Sequence, residues 1–204
     1  MQSHHYYDLS YDNKERFCSY WHQINEIMSI KAENVLEIGI GNGMVSKYLK
    51  ERGRKITTLD IHRELKPEVV GSILRIPFTD ASFDVVACYE VLEHISYKDF
   101  LKALAEIHRV SSLHAILSLP DRTGRAYKFH IQIPKIGDIK KLITIPRLKP
   151  LKPEFDGVHY WEIGTHEYSL KKIMTALKKA GFVIKRNYRV FEYPYHRFFL
   201  LMKH

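Results

Sequence analysis

Glu37, Gly39, Gly41, Gly43 and Asp60 are the residues whose types and spacing first point to chemistry. They lie in VLEIGIGNG and TLDIH, two apolar runs that end on glycines or a carboxylate. Glycine after a buried strand lets the chain turn sharply and lets a ligand lie on the backbone without meeting a β-carbon. A helix that follows offers its unsatisfied N–H groups to the same ligand. Asp60 stands 21 residues beyond Gly39, where a carboxylate can accept both hydroxyls of a ribose. The glycine spacing is GxGxG, with Met44 where a dinucleotide fingerprint wants its third glycine. Glu37 adds negative charge before the first glycine, which suits a cationic ligand better than a nicotinamide dinucleotide.

A second group follows the next apolar run: Tyr89, then Glu90-Val91-Leu92-Glu93-His94. The carboxyl edge of a parallel sheet is where α/β proteins bind ligands, and a carboxylate or imidazole there can take a proton from a nucleophile. His94 and Glu90 are therefore the candidate bases, although a Glu-His pair can equally cap a turn. His130, His159, Tyr160, Trp161, Glu162 and His166 cluster further on. Of these, His159-Tyr160-Trp161-Glu162 reads as a pocket wall, with core packing as the alternative. Tyr6, Tyr7 and Tyr11 precede the first helical stripe, where aromatic rings can cover a cation.

These residues need elements to hold them. Residues 14–30 place Phe17, Tyr20, Trp21, Ile24, Ile27 and Met28 on one helical face. NVLEIGI, KITTLDI, Val69-Val70-Gly71, FDVVAC and HAILSLP read as strands. Helices are predicted from GMVSKYLKERG, closed by Gly53, and from Tyr97 to Arg109. Strands alternating with helices imply a parallel sheet covered on both faces. Between Asp121 and His166 the pattern breaks, and FHIQIP and KLITIP flank Gly137-Asp138 as a hairpin arm. A helix over Tyr168–Ala180 and a terminal antiparallel pair, FVIKRNYRVF and HRFFLLMK, complete the chain.

The bulk properties narrow the class. With 204 residues, 45% hydrophobic and 27% charged, one globular domain with insertions is expected over 1–204. Its parts are an N-terminal lid and helix at 1–30 and a basic insertion at 121–166 as a substrate cover. Cys18 and Cys88 are the only cysteines, so neither a disulfide framework nor a zinc site is suggested, and no metal ligands are assigned. No targeting segment or membrane span is read, and the expected location is cytoplasmic. Residues 121–152 carry nine Lys or Arg against Asp121 and Asp138, a local +7 within the overall +9. Such a segment is either a solvated arm or a surface for an anionic partner.

In combination, VLEIGIGNG, TLDIH and SILRIPFTDASFDVVACYEVLEHI resemble the class I S-adenosylmethionine-dependent methyltransferases, in particular the methyltransferase type 11 group. The likeness is close over Val35–Leu119. It implies a Rossmann-like, doubly wound α/β fold: a mostly parallel seven-stranded sheet with a C-terminal antiparallel hairpin and an insertion after strand 5. It also implies S-adenosyl-L-methionine as cofactor. Glu37 would then anchor the methionyl amino group, with Gly39, Gly41 and Gly43 under that part. Asp60 would hold the ribose, Ile61 and His62 would flank adenine, and Tyr89 would line the pocket near the sulfonium. Many relatives carry an Asp at the position of Ser72; here Ser72 or the backbone of Ile73 would meet the adenine edge.

The expected activity is methyl transfer to a small-molecule or glycan-like acceptor. RNA methylation through the basic insertion is an alternative, but no Asn-Pro-Pro-Tyr motif, Pro-Cys nucleophile or RNA-binding module supports it. A non-catalytic S-adenosylmethionine-binding protein is another alternative, and a nicotinamide-dependent reductase is disfavoured by Met44. The acceptor and the oligomeric state are not legible.

Overall fold

The computed structural model describes residues 11–204 apart from Ile136, Pro150, Pro153, Glu154 and Asp156. Tyr6 and Tyr7 therefore lie outside the described residues. Helix α1 (Lys14–Ser29) starts where the Asn13 side chain accepts from Arg16 N, satisfying one of the free amides of the first turn. Strand β1 (Asn34–Ile38) leads through the glycine turn into α2 (Met44–Glu51), followed by β2 (Lys55–Asp60) and the two-residue β3 (Val69–Val70). Then come β4 (Phe83–Tyr89), α3 (Tyr97–Val110) and β5 (Ser111–Pro120). The chain ends with α4 (Leu170–Lys179), β8 (Phe182–Arg189) and β9 (His196–Lys203).

The sheet has seven strands in the order β3-β2-β1-β4-β5-β9-β8. Its first five strands are parallel, whereas β9 runs antiparallel between β5 and β8. The chain winds outward from β1 to β3 and then returns to lay β4 beside β1. Such a reversal opens a crevice at the carboxyl ends of the strands, because the two connections leave in opposite directions.

Two cores form, one on each face of the sheet. Phe100, Leu104 and Ile107 of α3 and Ile173 and Leu177 of α4 pack on one face. Tyr20 and Ile27 of α1 and Val45 and Leu49 of α2 pack on the other. The spacing Phe100, Ala103, Leu104, Ile107 and Val110 is the stripe a helix must bury, and all five are fully buried. No helix among the described residues is long and apolar enough to cross a membrane.

The insertion after β5 is an antiparallel hairpin of β6 (Gly124–Ile133) and β7 (Gly137–Pro146). Its turn falls at Pro134 and Lys135 rather than at Gly137-Asp138, since Ile133 pairs with Gly137 and Gln132 with Asp138. Proline has no N–H to give the ladder, and Lys135 takes a left-handed φ of 67°. The chain therefore reverses earlier than the glycine suggested.

Candidate functional site at the sheet switch point

A cavity of about 660 Å³ opens over the switch point. Glu37, Gly39, Gly41, Asp60, Ile61, Ser72, Ile73, Tyr89, Glu90 and His94 all line it. Gly43 does not; it stands one residue before α2 at φ 73°, shaping the turn rather than forming the wall.

The donor-side wall is built from strand ends. Gly39 has φ 81°, and a β-carbon there would sit 2.2 Å from Val91 Cγ2. The glycine thus serves a close packing of the loop after β4 onto the loop after β1, a reason its spacing alone did not disclose. Asp60 accepts from Ile40 N at 3.0 Å through Oδ2 and from His62 N at 2.8 Å through Oδ1. These two amides fix the carboxylate's plane and leave its remaining lone pairs for a ligand. Ser72 Oγ accepts from Leu74 N at 3.2 Å.

Glu37 is buried on β1, and its Oε2 has no hydrogen-bond partner among the described residues. Burial pushes its carboxyl up to about 8, against the smaller opposing pull of Ser46 and Lys50. A buried acid that lacks a counter-charge destabilises its own ionised form. A ligand cation beside it would supply that counter-charge. Tyr89, also buried, donates to Gln23 O at 3.3 Å and leans on Phe198.

The opposite wall comes from loops. Glu90 follows β4 with a left-handed φ of 51°, unusual for a residue with a side chain. His94 closes a short 3-10 turn, and its Nδ1 lies 3.0 Å from Val158 O. Its ring lies against that of His159, 5.0 Å between centroids. His159 Nδ1 lies 3.1 Å from Glu162 Oε1, and Glu162 also accepts from Arg122 and from the Tyr195 hydroxyl. Burial opposes the charge of Glu162, yet these three donors together hold its carboxyl below the usual range. Burial raises Glu90 to about 7 and Glu93 well above its ordinary value, Glu93 further by the charge of Glu90.

The remaining candidates divide. His159 and Tyr160 line the cavity, but Trp161 does not: its indole donates to Ile95 O and packs on Phe100, Tyr97 and Tyr168 in the core. His130 pairs with Asp138 across the hairpin, and His166 N donates to Leu151 O, both away from the cavity. Tyr11 lines the cavity with Arg16 stacked on it at 3.8 Å. Asp12 accepts from both Tyr20 and Asn42, tying this segment to the glycine turn. Tyr195 and His196 were missed by sequence reasoning; the neighbouring Pro194 was the only local hint of a shaped loop. Burial drives His196 down to about 3, so its ring is neutral beside Ser19 Oγ at 2.8 Å.

Sheet order and crevice together define a Rossmann-like fold of the class I methyltransferase type. Residues 36–118 match the family model described as a methyltransferase domain. Over that segment the chain is similar to the class I S-adenosylmethionine-dependent methyltransferases of the type 11-like group. It is 28% identical over 130 residues to a ubiquinone biosynthesis O-methyltransferase of Pseudoalteromonas translucida, covering 56% of this chain and 53% of that one. An uncharacterised protein of Methanocaldococcus jannaschii is 49% identical over 83 residues, 37% of this chain and 35% of its own. The chain thus spans about half or less of the length of these curated relatives. Among solved structures, Burkholderia thailandensis 1,6-didemethyltoxoflavin-N1-methyltransferase, with bound 1,6-didemethyltoxoflavin and S-adenosylhomocysteine, aligns over 98% of this chain and 83% of that one. Its TM-score is 0.65 at 15% identity, a likeness of fold.

Proposed function

We propose that the chain transfers the methyl group of S-adenosyl-L-methionine to a small-molecule acceptor. The observation that carries this reading is one cavity with two unlike walls: strand ends with Glu37 and Asp60 on one side, loop residues with Glu90 and His94 on the other. Its volume of about 660 Å³ lies within the range of small-molecule and cofactor sites.

In this reading Glu37 receives the ammonium of the methionyl part, which answers the unpartnered Oε2. Gly39 and Gly41 let that part lie on the backbone, and Gly43 sets the turn. Asp60 accepts the ribose hydroxyls while the Ile40 and His62 amides hold it still. Ile61 and His62 flank the adenine, and Ser72 or the backbone of Ile73 meets its edge. Tyr89 closes the pocket near the sulfonium. Once bound, the donor supplies a methyl group that is already electrophilic. The protein's part is then to align the acceptor and to take one proton, a task for Glu90 or His94.

The relative of Pseudoalteromonas translucida is by its name an O-methyltransferase of ubiquinone biosynthesis, which supports a small molecule; a glycan-like acceptor is a narrower version of the same reading. The basic arm lends RNA little support, because Lys128 and Lys140 are engaged with Glu192 of the body. Calorimetric titration with S-adenosylhomocysteine tests the donor site, with NAD as the control. Binding of the former alone is expected, and Asp60→Ala should weaken it at least about 100-fold, since about two charge-assisted hydrogen bonds are lost. Unchanged affinity in that variant would overturn the ribose role. Incubation with methyl-labelled donor and fractionated metabolite extract then separates an enzyme from a silent binder.

A further inference from the structure

The wall opposite the donor residues contains a buried acid without a counter-charge among the described residues. Glu93 is fully buried, lines the cavity, and neither oxygen of its carboxylate has a hydrogen-bond partner among the described residues. A side chain left in that condition costs stability unless something charged comes to it. Potential ligand atoms of Glu93, His94 and His159 all lie within 4.8 Å of one another. Glu90 stands beside them, its Oε2 3.5 Å from His196 Nε2 and its Oε1 without a partner among the described residues.

The two imidazoles are already oriented in the manner of metal ligands. A ligating histidine gives its other ring N–H to a carbonyl or carboxylate, which fixes the tautomer and turns the second nitrogen to the ion. Here Nδ1 of His94 meets the Val158 carbonyl at 3.0 Å, and Nδ1 of His159 meets the Glu162 carboxylate at 3.1 Å. Glu162 is itself fixed by Arg122 and Tyr195. Both rings therefore have an oxygen in place as outer partner.

We infer that Glu93, His94 and His159 bind a divalent metal ion at the acceptor end of the cavity, with Glu90 beside it. Two imidazoles with one carboxylate suit a first-row transition ion such as manganese or zinc better than magnesium, which prefers oxygen ligands and keeps its waters. This inference rests on the proposed methyl transfer for its purpose and sharpens it in two ways. His94 becomes a metal ligand, leaving Glu90 as the base. The acceptor becomes an oxygen nucleophile, a hydroxyl with a second oxygen close enough for both to reach the ion. In the transfer the hydroxyl oxygen forms a bond to the methyl carbon, and the carbon–sulfur bond breaks with its electron pair returning to sulfur. The hydroxyl proton passes to Glu90 and then to solvent.

The test is titration of the full chain, freed of metal by a chelator, with manganese followed by the paramagnetic resonance of the free ion, and with zinc by calorimetry. One saturable ion per chain is expected for at least one metal. Glu93→Gln and His159→Ala should each weaken it at least tenfold while S-adenosylhomocysteine affinity stays within twofold. Glu93→Gln keeps the shape and removes an unpartnered acid, so it remains a usable variant if His159→Ala does not fold. No saturable binding of either ion, or equal binding in a folded Glu93→Gln variant, overturns the inference. Loss of S-adenosylhomocysteine binding in the unaltered protein would instead defeat the methyl-transfer reading and leave the ion measurement standing.

Discussion

Asp60 and Glu93, one acid on each wall of the cavity, are held in opposite ways. On the donor side, Asp60 takes two backbone amides from the turns beside it, Ile40 N and His62 N. Across the cavity, Glu93 has no such partner among the described residues, and Glu162 behind that wall is satisfied by side chains: Arg122 and Tyr195 from distant segments and His159 from three residues before it. A wall made of backbone is complete once its strands pair. A wall made of side chains depends on several loops meeting, and it can be rebuilt by changing those loops while the sheet stays as it is.

That contrast can be broken most forcefully at Gly39. Alanine there would drive its β-carbon into Val91 at a left-handed φ of 81°, and overpacking plus backbone strain should cost about 3 kcal/mol. Urea unfolding measures it; a loss below about 1 kcal/mol would mean that the two loops are not tightly joined. Glycine at this point holds the walls together, so the loss should appear in stability even without ligand.

A smaller effect is expected from pH at Glu37. Its carboxyl is held near 8 by burial, so it is mostly protonated at neutral pH and must release a proton to meet a ligand ammonium. S-adenosylhomocysteine affinity should therefore climb between pH 6 and 8, approaching tenfold per unit, and Glu37→Gln should be weaker and flat over that window. Stability runs the other way. A folded pKa above the ordinary 4.5 means that the contribution of Glu37 is complete below that value and is lost as pH rises through about 8. The glutamine variant should accordingly gain more in melting temperature at pH 8 than at pH 5. A pH-independent affinity in the unaltered protein would remove Glu37 from the donor wall.

The smallest effect is expected in the arm. Changing Lys140, Lys141 and Arg147 to alanine removes one exposed ion pair, Lys140 with Glu192, worth about 0.2–1 kcal/mol. Donor affinity should stay within twofold. Salt-dependent RNA binding that disappears with this triple change would reverse the preference for a small acceptor.

The donor wall was legible because it is local. VLEIGIGNG and TLDIH carry both the strand pattern and the ligand chemistry within a few residues of each other. The order of helices and strands was legible for the same reason, since the periodicity of Phe100 to Val110 depends on nothing outside α3. The acceptor wall was read only in part. His159 was singled out correctly as lining the cavity, but its neighbour Trp161 points into the core, and the run His159-Tyr160-Trp161-Glu162 shows no period that separates the two directions. Tyr195 and His196 went unseen because β9 reaches the cavity by inserting between β5 and β8, a pairing across more than 70 residues that leaves no local trace.

That insertion also ties the first helix to the last strands. Helix α1 is held against the sheet by partners far along the chain, Ser19 to His196 across 177 residues and Glu26 to Arg186 across 160. Contacts so distant pay their loop-closure entropy before they return anything. The parallel half, β1 to β5, can pair through its own crossovers, but α1 gains these anchors only after β9 has been laid between its neighbours. These two anchors of α1 thus depend on the terminal hairpin, whereas its contacts with Asn42 and with Val45 and Leu49 of α2 need only the first third of the chain.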